Sequence, residues 1–461
     1  MRKFIFVIPL LIIISCSKNP STFMYNVIYQ DTQIVLNWST CMDKDFYMYK
    51  LYCSDNESMN TKKLLFESNN RIDTTYTETI DGPLTYYQVQ TTNLSKERSL
   101  SNTVFKAFLF QIFGGEGDDR GYSIQQTRDG GYVFVGKTSS FGHGFNDVWL
   151  IKTDINGNEE WSQTFGGGYE DEGYSVQQTA DGGYIITGNG YTVGNNKPDL
   201  WLIKTDNNGN EEWSQKFGGA DVEQGRSVQQ TSDRGYIIVG FARTKSDNHF
   251  NIWLVKTDSN GNKEWDKTFG KSGHDYGYSV KQTIDGGYII SGETDSAGSS
   301  SNNVWLIKTD SNGNKEWDKT FSSGSGQSVQ QTSDGGYIIA SDGEEWLIKT
   351  DSFGNEEWNQ STGRYHGFSV QQTKDDGYIV SGFIPINYSS DICLVKTDTN
   401  GYEEWNKTFG GNADDYGYSV DQTADKGYVL IGHSLSFKYN NYNILVIKTD
   451  SNGNFNIAYD D

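Results

Sequence analysis

The chain has 461 residues, a formal net charge of −22, 52 glycines and only 5 prolines. A chain this acidic is not expected to bind nucleic acid, and an aromatic content of 14% excludes a disordered chain. The abundance of Gly, Tyr, Thr and Asn disfavours a helical protein. Only one short apolar run exists, so a polytopic membrane protein is also excluded. What remains is a large, glycine-punctuated, aromatic-rich β protein.

Residues 1–15 have the pattern of a secretion signal. Arg2 and Lys3 precede an apolar stretch of about eleven residues, which is too short to span a bilayer comfortably. The stretch ends in I-I-S-C, and this resembles the lipobox of bacterial lipoproteins. The resemblance implies that Cys16 is lipidated and becomes the new N-terminus, anchored by its acyl chains. An ordinary secretory signal with an incidental cysteine is the alternative.

The residues after Cys16 bear on location and redox state. Residues 16–22 form a tether, and by analogy with Gram-negative sorting rules Ser17 favours the outer membrane or the cell surface. Cys41 and Cys53 lie in a compartment that allows a disulfide, although sequence alone does not decide whether they pair. Cys393 stands where sister repeats carry Trp, which predicts a buried apolar filler.

Residues 23–106 predict a β-sandwich, with alternating strands at 33–38, 46–52, 84–91 and 103–108. Trp38 in its L-x-W context and Tyr87 in P-L-T-Y-Y-Q-V resemble the core Trp and the tyrosine corner of a fibronectin type III module. This resemblance implies a spacer that lifts the next domain off the membrane. A binding role of its own is the alternative.

From about residue 109 the chain repeats itself. The phrase G-Y-S-V-Q-Q-T recurs seven times at intervals of 41 to 52 residues, a period that indicates a solenoid or a propeller. Each copy predicts four short strands, A to D, with tight D-G-G and N-G-N turns after A and C and long polar loops after B and D. We therefore predict an all-β fold, a seven-bladed β-propeller of four-stranded antiparallel blades, over residues 107–461. The copies begin at Gly121, Gly173, Gly225, Gly277, Gly326, Gly367 and Gly417.

An extra copy of strand D indicates how the ring closes. Residues 109–115 match residues 161–167 but precede the first strand A, whereas the last D-like segment, 455–459, lacks its Trp. We predict that the N-terminal piece completes the last blade beside its C-terminal strands.

Tryptophan recurs once per blade in strands C and D. Side chains of this size bury about 150–250 Å² each, so we interpret them as packing between blades in preference to stacking on a ligand. Strand C carries Trp149, Trp201, Trp253, Trp305 and Trp346. Strand D carries Trp161, Trp213, Trp265, Trp317, Trp358 and Trp405.

The turn between strands C and D carries a second resemblance. The phrase D-I-N-G-N-E-E-W at residues 154–161 resembles the tryptophan-docking motif of quinoprotein-type propellers, with a turn one residue shorter. It is also similar to the Asp-box of sialidases, although the Asp-to-Trp spacing differs. Over about 350 residues the chain resembles bacterial lipoproteins built of D-G-G-Y and D-x-N-G-N-x-x-W repeats. These resemblances imply blade architecture and transfer no activity.

A meander places successive connections on alternate faces. The D-G-G and N-G-N turns then share one face, the turn face, and the long B–C and D–A connections share the other, the loop face. The loop face varies from blade to blade, and variable loops on a rigid scaffold usually carry binding residues. We therefore predict that the loop face is the functional one.

The D–A loops are acidic. If strand A is innermost these residues ring the mouth of the central channel, where carboxylates and carbonyls could bind Ca²⁺; a solvated acidic rim is the alternative. Repeats five and six lack such acids. The candidate residues are Glu116, Asp118, Asp119, Glu170, Asp171, Glu172, Asp221, Glu223, Asp275, Asp414 and Asp415.

The loop face also carries histidines and arginines. The five histidines come from different blades, whereas a metal site needs several to converge, so polar loop residues are the favoured interpretation. Arg120, Arg226 and Arg364 lie near starts of strand A and could clamp a carboxylate, as in sialidases. No nucleophile and acid accompany them, and no G-x-S-x-G, H-E-x-x-H or P-loop motif occurs.

These observations predict a non-catalytic, lipid-anchored protein of the bacterial cell envelope. It would be a monomer that touches the membrane only through its anchor and displays its loop face to an unidentified protein or glycan. One alternative is a propeller enzyme of the quinoprotein, lyase or glycosidase type, acting at the channel mouth. Another is an assembly scaffold in the envelope.

Overall fold

A computed structural model of the chain describes residues 110–191, 197–219, 221–243, 248–295, 302–361, 364–386, 388–437 and 441–454, together with the strands before residue 110 and residue 69. The chain divides into two compact units, Met1–Leu109 with Asn454–Asp461, and Phe110–Gly453. The described residues are strands, turns and bends, and they include no helix long and apolar enough to cross a membrane.

The N-terminal unit contains two antiparallel sheets. One has the order β1–β2–β3–β6, and the other has the order β5–β4–β7–β8 with β9 paired to β7. The strands are β1 (Phe6–Ile12), β2 (Phe23–Gln30), β3 (Gln33–Trp38), β4 (Phe46–Ser54), β5 (Lys63–Ser68), β6 (Thr75–Thr79), β7 (Tyr86–Asn93), β8 (Arg98–Leu100) and β9 (Phe105–Lys106).

Several predictions fall outside the described residues of this unit. Cys16 and Cys41 lie outside them, and so do the side chains of Cys53, Trp38 and Tyr87. The lipidated cysteine, the disulfide and the fibronectin type III module therefore stay predictions.

The second unit confirms the predicted seven-bladed propeller of four-stranded antiparallel blades. Its first strand is β10 (Phe110–Phe113). Blade 1 is β11 (Asp119–Gln126), β12 (Tyr132–Thr138), β13 (Asp147–Thr153) and β14 (Glu159–Phe165). Blade 2 is β15 (Glu172–Gln178), β16 (Tyr184–Tyr191), β17 (Pro198–Thr205) and β18 (Glu211–Phe217). Blade 3 is β19 (Glu223–Gln230), β20 (Tyr236–Arg243), β21 (Phe250–Thr257) and β22 (Lys263–Phe269).

The remaining blades follow the same order. Blade 4 is β23 (Asp275–Gln282), β24 (Tyr288–Thr294), β25 (Asn303–Thr309) and β26 (Lys315–Ser323). Blade 5 is β27 (Gly326–Gln331), β28 (Tyr337–Ser341), β29 (Glu345–Thr350) and β30 (Glu356–Ser361). Blade 6 is β31 (His366–Gln372), β32 (Tyr378–Ile386), β33 (Ser389–Thr397) and β34 (Glu403–Phe409). Blade 7 is β35 (Asp415–Gln422), β36 (Tyr428–Ser434) and β37 (Asn443–Thr449), completed by β10.

The ring closes as the sequence predicted. Strand β10 pairs antiparallel with β37, from Phe110 opposite Ile447 to Phe113 opposite Ile444. The ring of Phe113 then lies 4.9 Å from that of Phe134 in blade 1. The strand that precedes blade 1 thus supplies the outer strand of blade 7, which ties both ends of the repeat region together.

Strand A is the innermost strand, because each strand A contacts strand A of the next blade. The repeated phrase explains these contacts. The Ser123 hydroxyl accepts a hydrogen bond from the backbone N–H of Val176 at 3.2 Å. The Gln125 side-chain carbonyl accepts one from the N–H of Gln178 at 2.8 Å. Ser and the first Gln of S-V-Q-Q therefore join neighbouring blades around the channel.

The tryptophans lie where blades meet. Trp161 of strand D packs on Tyr184 of the next blade, 5.7 Å between ring centroids, and the same contact recurs to Trp405 and Tyr428 at 5.8 Å. Gly261 has φ +80°, and a Cβ there would approach the ring of Trp213 to 2.5 Å, so the N-G-N glycine makes room for the preceding blade's Trp. The strand C tryptophans are buried.

Cys393 occupies the strand C position that holds Trp in five other blades. It is 1% exposed and belongs to a cluster that contains Trp346 and Tyr365. Burial raises the pKa of its thiol to about 12. The thiol is therefore a protonated apolar filler at neutral pH.

A buried lysine in strand C anchors both turns of the turn face. The ammonium of Lys256 is bonded to the Asp233 and Glu264 carboxylates, each at 2.9 Å, and to the backbone carbonyl of Thr257. Asp233 belongs to the turn between strands A and B, which reads D-R-G in this blade, and Glu264 to the start of strand D. The same lysine occurs in every blade: Lys152, Lys204, Lys256, Lys308, Lys349, Lys396 and Lys448.

Candidate functional site at the loop face and channel mouth

A β-bulge in every strand A turns one side chain towards the central channel. In blade 1 the pairing with strand B passes from Gly121 directly to Ser123, so Tyr122 has no partner opposite it. Bulges of this kind re-aim a side chain. The equivalent residues, which we call the collar, are Tyr122, Tyr174, Arg226, Tyr278, Gln327, Phe368 and Tyr418.

Five members of the collar contact a neighbouring member. The Tyr122 ring lies 5.2 Å from Tyr174 and 5.3 Å from Tyr418, and Phe368 stacks on Tyr418 at 4.8 Å. The Arg226 guanidinium lies 4.1 Å from the centroid of Tyr174. The collar therefore constricts the channel with aromatic faces and one cation, a combination suited to stacking and to binding anions.

Blades 6 and 7 line the loop-face side of the collar with aromatic rings. His433 is 2% exposed, and its ring lies 4.8 Å from Tyr442 and 5.0 Å from Tyr418. Burial, followed by the charges of Arg120 and Lys137, lowers the pKa of His433 well below its usual value, so the imidazole is neutral at pH 7. Its Nδ1 has no hydrogen-bond partner among the described residues.

Arg120 of blade 1 and Glu172 of blade 2 contact other residues of the channel mouth. The Arg120 guanidinium lies 4.2 Å from the centroid of Tyr442. Glu172 accepts hydrogen bonds from the Lys137 ammonium and the Tyr174 hydroxyl. Burial opposes the ionisation of Glu172, but Lys137 outweighs it and holds the pKa of that carboxyl below its usual value. The mouth thus carries opposite charges beside an aromatic wall.

Five of the predicted acids are buried and stabilise the D–A loops. Each accepts a hydrogen bond from the backbone N–H four residues earlier, as Asp171 does from Gly167 at 2.9 Å. Burial raises the pKa of Asp171 above its usual value, although N–H groups of Tyr191 and Gly167 oppose the effect. The five are Asp119, Asp171, Glu223, Asp275 and Asp415.

The other predicted acids are spread over the loop face. Glu116 and Glu170 are exposed. Asp118 lies 3.8 Å from Arg120, Asp221 pairs with Lys197 at 2.6 Å, and Asp414 accepts the N–H of Ser390 at 3.0 Å. In the described part of the chain, no group of three or more His, Cys, Asp or Glu is placed to hold a metal ion. Calcium binding stays a prediction.

The three predicted arginines do not form one clamp. Arg226 lies in the collar, Arg120 lies over Tyr442 at the mouth, and Arg364 is exposed with its guanidinium 5.6 Å from the centroid of Tyr365. Of the histidines, His143 is exposed, His249 and His274 pair with each other at 5.1 Å, and His366 stacks on Phe383 at 4.4 Å.

A cluster of exposed aromatic rings on the loop face joins blades 1 and 2. Phe145 is 68% exposed and Tyr169 is 45% exposed. Their loops are linked by a bridge between Asn146 and Glu170, and Tyr169 stacks on Tyr191 at 5.5 Å. Phe141 stands in the same B–C loop as Phe145, is 47% exposed, and lies against Trp149 of strand β13. We call Phe141, Phe145, Tyr169 and Tyr191 the aromatic patch.

A cleft of about 400 Å³ lies beside the patch, between blades 2 and 3. Its walls carry both signs of charge and one indole ring, from Lys216, Asp221, Glu223, Arg243, Trp253 and Lys263. The Lys216 ammonium lies 4.7 Å from the ring centroid of Trp201 and donates to the Tyr191 carbonyl at 2.5 Å. The cleft therefore meets the aromatic patch where Lys216, which lines the cleft, bonds Tyr191 of the patch.

Comparisons with known proteins address the fold. The sequence matches no protein-family model and no curated protein. The WD40 β-propeller domain of Doa1 is similar at a TM-score of 0.48 and 11% identity, over 74% of this chain and 97% of that chain. Sqt1 of Chaetomium thermophilum is similar at a TM-score of 0.45 and 11% identity, over 73% of this chain and 96% of that chain. Likenesses this distant carry no argument about function.

Proposed function

We propose that the protein is a non-catalytic binding protein of the bacterial cell envelope, which presents its loop face to a protein or glycan partner. The observation that carries the proposal is the aromatic patch, whose exposed rings come from two linked loops. Aromatic side chains dominate the binding energy of protein interfaces. Clustered exposed rings of this kind mark interaction sites, whereas single exposed apolar residues are normal on any surface.

Two further features support this assignment. The collar and the mouth offer aromatic faces beside Arg120 and Arg226, so a ligand could stack and hydrogen-bond at one place. The cleft adjoins the patch and adds paired charges, which favour specificity over raw affinity. All of these groups stand on or near strand ends of a closed ring, and rigid elements hold binding groups more accurately than loops alone.

The N-terminal unit fits a display role. We propose that Cys16 is lipidated, that residues 23–106 form a fibronectin type III-like spacer, and that the propeller is held on the outer membrane or cell surface. The sheet orders β1–β2–β3–β6 and β5–β4–β7–β8 support the sandwich. The strand β1 (Phe6–Ile12) lies in the proposed signal segment, so the mature protein would keep β2–β3–β6 of the first sheet. Loss of metabolic labelling with a fatty acid in Cys16→Ala would support the anchor, and unchanged labelling would contradict it.

The test of binding uses a soluble protein of residues 21–461, immobilised glycans and purified envelope proteins. The double variant Phe145→Ala/Tyr169→Ala removes the two most exposed rings of the patch that lie in linked loops. Because central aromatic residues each contribute about 2 kcal/mol or more, we expect affinity to fall by at least about tenfold. Biolayer interferometry against each ligand captured by the parent protein measures the change.

The turn face supplies a matched control. Phe353 and Tyr402 are 70% and 66% exposed, and both stand on C–D turns. Phe353→Ala/Tyr402→Ala should bind as the parent does. Equal losses in both double variants would place the contact elsewhere, and capture of nothing by the parent would overturn the display role and leave assays of enzyme activity as the next step.

A further inference from the structure

Below the collar, towards the turn face, a second ring of side chains lines the channel. Its members come from the position of Gln125 in each strand A and we call them the amide ring. They are Gln125, Gln177, Gln229, Lys281, Gln330, Gln371 and Asp421. All seven are half-buried. The position lies three residues beyond the collar and two before the turn, so it is about 7 Å from the turn-face end of the channel.

The glutamines of the ring are oriented by their hydrogen bonds. The side-chain carbonyl of Gln229 accepts the N–H of Gln282 at 2.6 Å, and that of Gln330 accepts the N–H of Gln372 at 2.6 Å. A backbone N–H can donate only to the oxygen of a side-chain amide. The NH₂ group of each glutamine therefore points away from the backbone N–H. Among the described residues the NH₂ groups of Gln125, Gln177, Gln229 and Gln330 donate to no protein acceptor.

Lys281 and Asp421 depart from the ring in opposite ways. Asp421 keeps the acceptor role, because it takes the N–H of Gln126 at 3.0 Å and also the Gln371 amide at 3.1 Å. Lys281 has no acceptor to offer, so blade 4 gives up one link to blade 5. A residue that breaks a structural rule without a structural gain indicates function.

The two charges stand on opposite sides of the channel, in blades 4 and 7. No ion pair within 4.0 Å joins them in the described structure, yet Asp421 acts on Lys281. Burial lowers the pKa of Lys281 and Asp421 opposes this effect. Burial raises the pKa of Asp421, and Lys281 is among the groups that oppose it. The space between them is therefore bounded by an ammonium, a carboxylate and free amide donors.

We propose that the turn-face end of the channel binds a small zwitterion that carries a carboxylate and an ammonium group. The carboxylate would accept hydrogen bonds from Lys281 and from the adjacent amides of Gln229 and Gln330. The ammonium would lie at Asp421, whose oxygens keep lone pairs beyond the two hydrogen bonds they already accept. This site is separated from the loop face by the collar and does not depend on the function proposed there.

The probes are acetate, ethylammonium, glycine, β-alanine and 4-aminobutanoate, titrated into the purified full-length chain by calorimetry. At least one of the three zwitterions should bind saturably and at least tenfold more tightly than acetate or ethylammonium. If none binds at millimolar concentration, or if acetate binds as tightly as the best zwitterion, the proposal is overturned.

Two variants restore the residue found in the other blades. Lys281→Gln supplies the missing acceptor, so its melting temperature should equal or exceed the parent's while zwitterion affinity falls at least tenfold. Asp421→Gln keeps an acceptor for Gln126 and should abolish the preference for a zwitterion over acetate. Unchanged affinity in a folded Lys281→Gln, or an unchanged preference in Asp421→Gln, would each contradict the assigned contacts.

Discussion

The two faces of the propeller are made from the same repeat, but their residues recur to different extents from blade to blade. On the turn face, the ion pair between a buried lysine of strand C and the Asp of the turn between strands A and B recurs in all seven blades. On the loop face the B–C connections share neither length nor composition. The turn face therefore consists of one structural solution used repeatedly, and the loop face holds residues that differ between blades.

The difference teaches where to look for function in a regular repeat protein. A residue present in every blade is explained by the contacts that every blade must make. A residue present in one or two blades needs its own explanation, and Lys281, Asp421 and Arg226 are such residues. The comparison thus assigns structure to the turn face and recognition to the places where the repeats diverge.

Removing the closing strand should produce the largest effect on stability. A protein that begins at residue 114 lacks β10, so β37 loses its outer partner and Phe134 loses the ring of Phe113. Loss of a packed Phe alone costs about 3–5 kcal/mol, so we expect the unfolding midpoint to fall by more than any point variant below. A protein that begins at residue 107 is the control. Equal denaturation curves for the two would mean that the ring does not depend on this strand.

Neutralising one buried lysine tests the repeated chemistry of the turn face. Lys256→Met keeps the volume but leaves Asp233 and Glu264 without their shared cation. Breaking a buried pair from one side costs about 3–5 kcal/mol. Because both carboxylates are about half exposed, we expect about 2–3 kcal/mol, measured by urea denaturation. The pair of Lys315, which is exposed, and Asp318, which is half-buried, supplies the control, since Lys315→Met should cost less than about 1 kcal/mol.

Lowering the pH should reduce the stability that the turn face contributes and increase the stability that the loop face contributes. Partial burial opposes ionisation of Asp233, but hydrogen bonds from Thr231, Lys256 and Gly235 outweigh it and lower its pKa to about 2. A carboxyl whose folded pKa is lowered stabilises the fold above its unfolded pKa, and this stabilisation is lost as the pH falls from about 4 to about 2. The turn face should therefore lose stability at low pH.

Four buried acids of the D–A loops have the opposite sign, because burial raises the pKa values of Asp171, Glu223, Asp275 and Asp415. Burial raises the pKa of Asp275 in the folded state, so protonation favours the fold, and stability should increase as the pH falls from 7 through that raised pKa. Melting temperatures from pH 3 to pH 8 should show a maximum on the acid side of neutrality. Asp275→Asn should have a smaller increase than the parent as the pH falls from 7 towards the unfolded pKa of about 4. If the variant's melting temperature depends on pH as the parent's does, Asp275 does not cause the increase in stability.

The blade count and strand order were predictable because the repeat is long, regular and marked by turn residues. The collar was not predictable, because the residue after each Gly of the repeated phrase faces the channel only through a bulge, and bulges depend on the pairing with strand B. The buried lysines could have been predicted from the sequence, because a charged residue recurs at one fixed position of the otherwise apolar strand C. Five of the eleven candidate acids, such as Asp119, accept the backbone N–H four residues earlier in their loops, a contact that sequence spacing alone does not show.

The smallest effect concerns a turn that departs from its sisters. In blades 1 to 5 an Asn side chain donates to the Asp that begins the C–D turn, as Asn262 does to Asp258 at 2.9 Å. Blade 6 has Tyr402 at this position, 66% exposed, and only its backbone N–H reaches Asp398. Tyr402→Asn should add one hydrogen bond and stabilise the protein by about 0.5–1 kcal/mol, whereas Asn262→Ala should destabilise it by a similar amount. If Tyr402→Asn gains stability and leaves every binding activity intact, the turn face is structural even where its repeats diverge. Loss of binding in that variant would show that Tyr402 itself contacts a ligand, and the division between the two faces would then fail at blade 6.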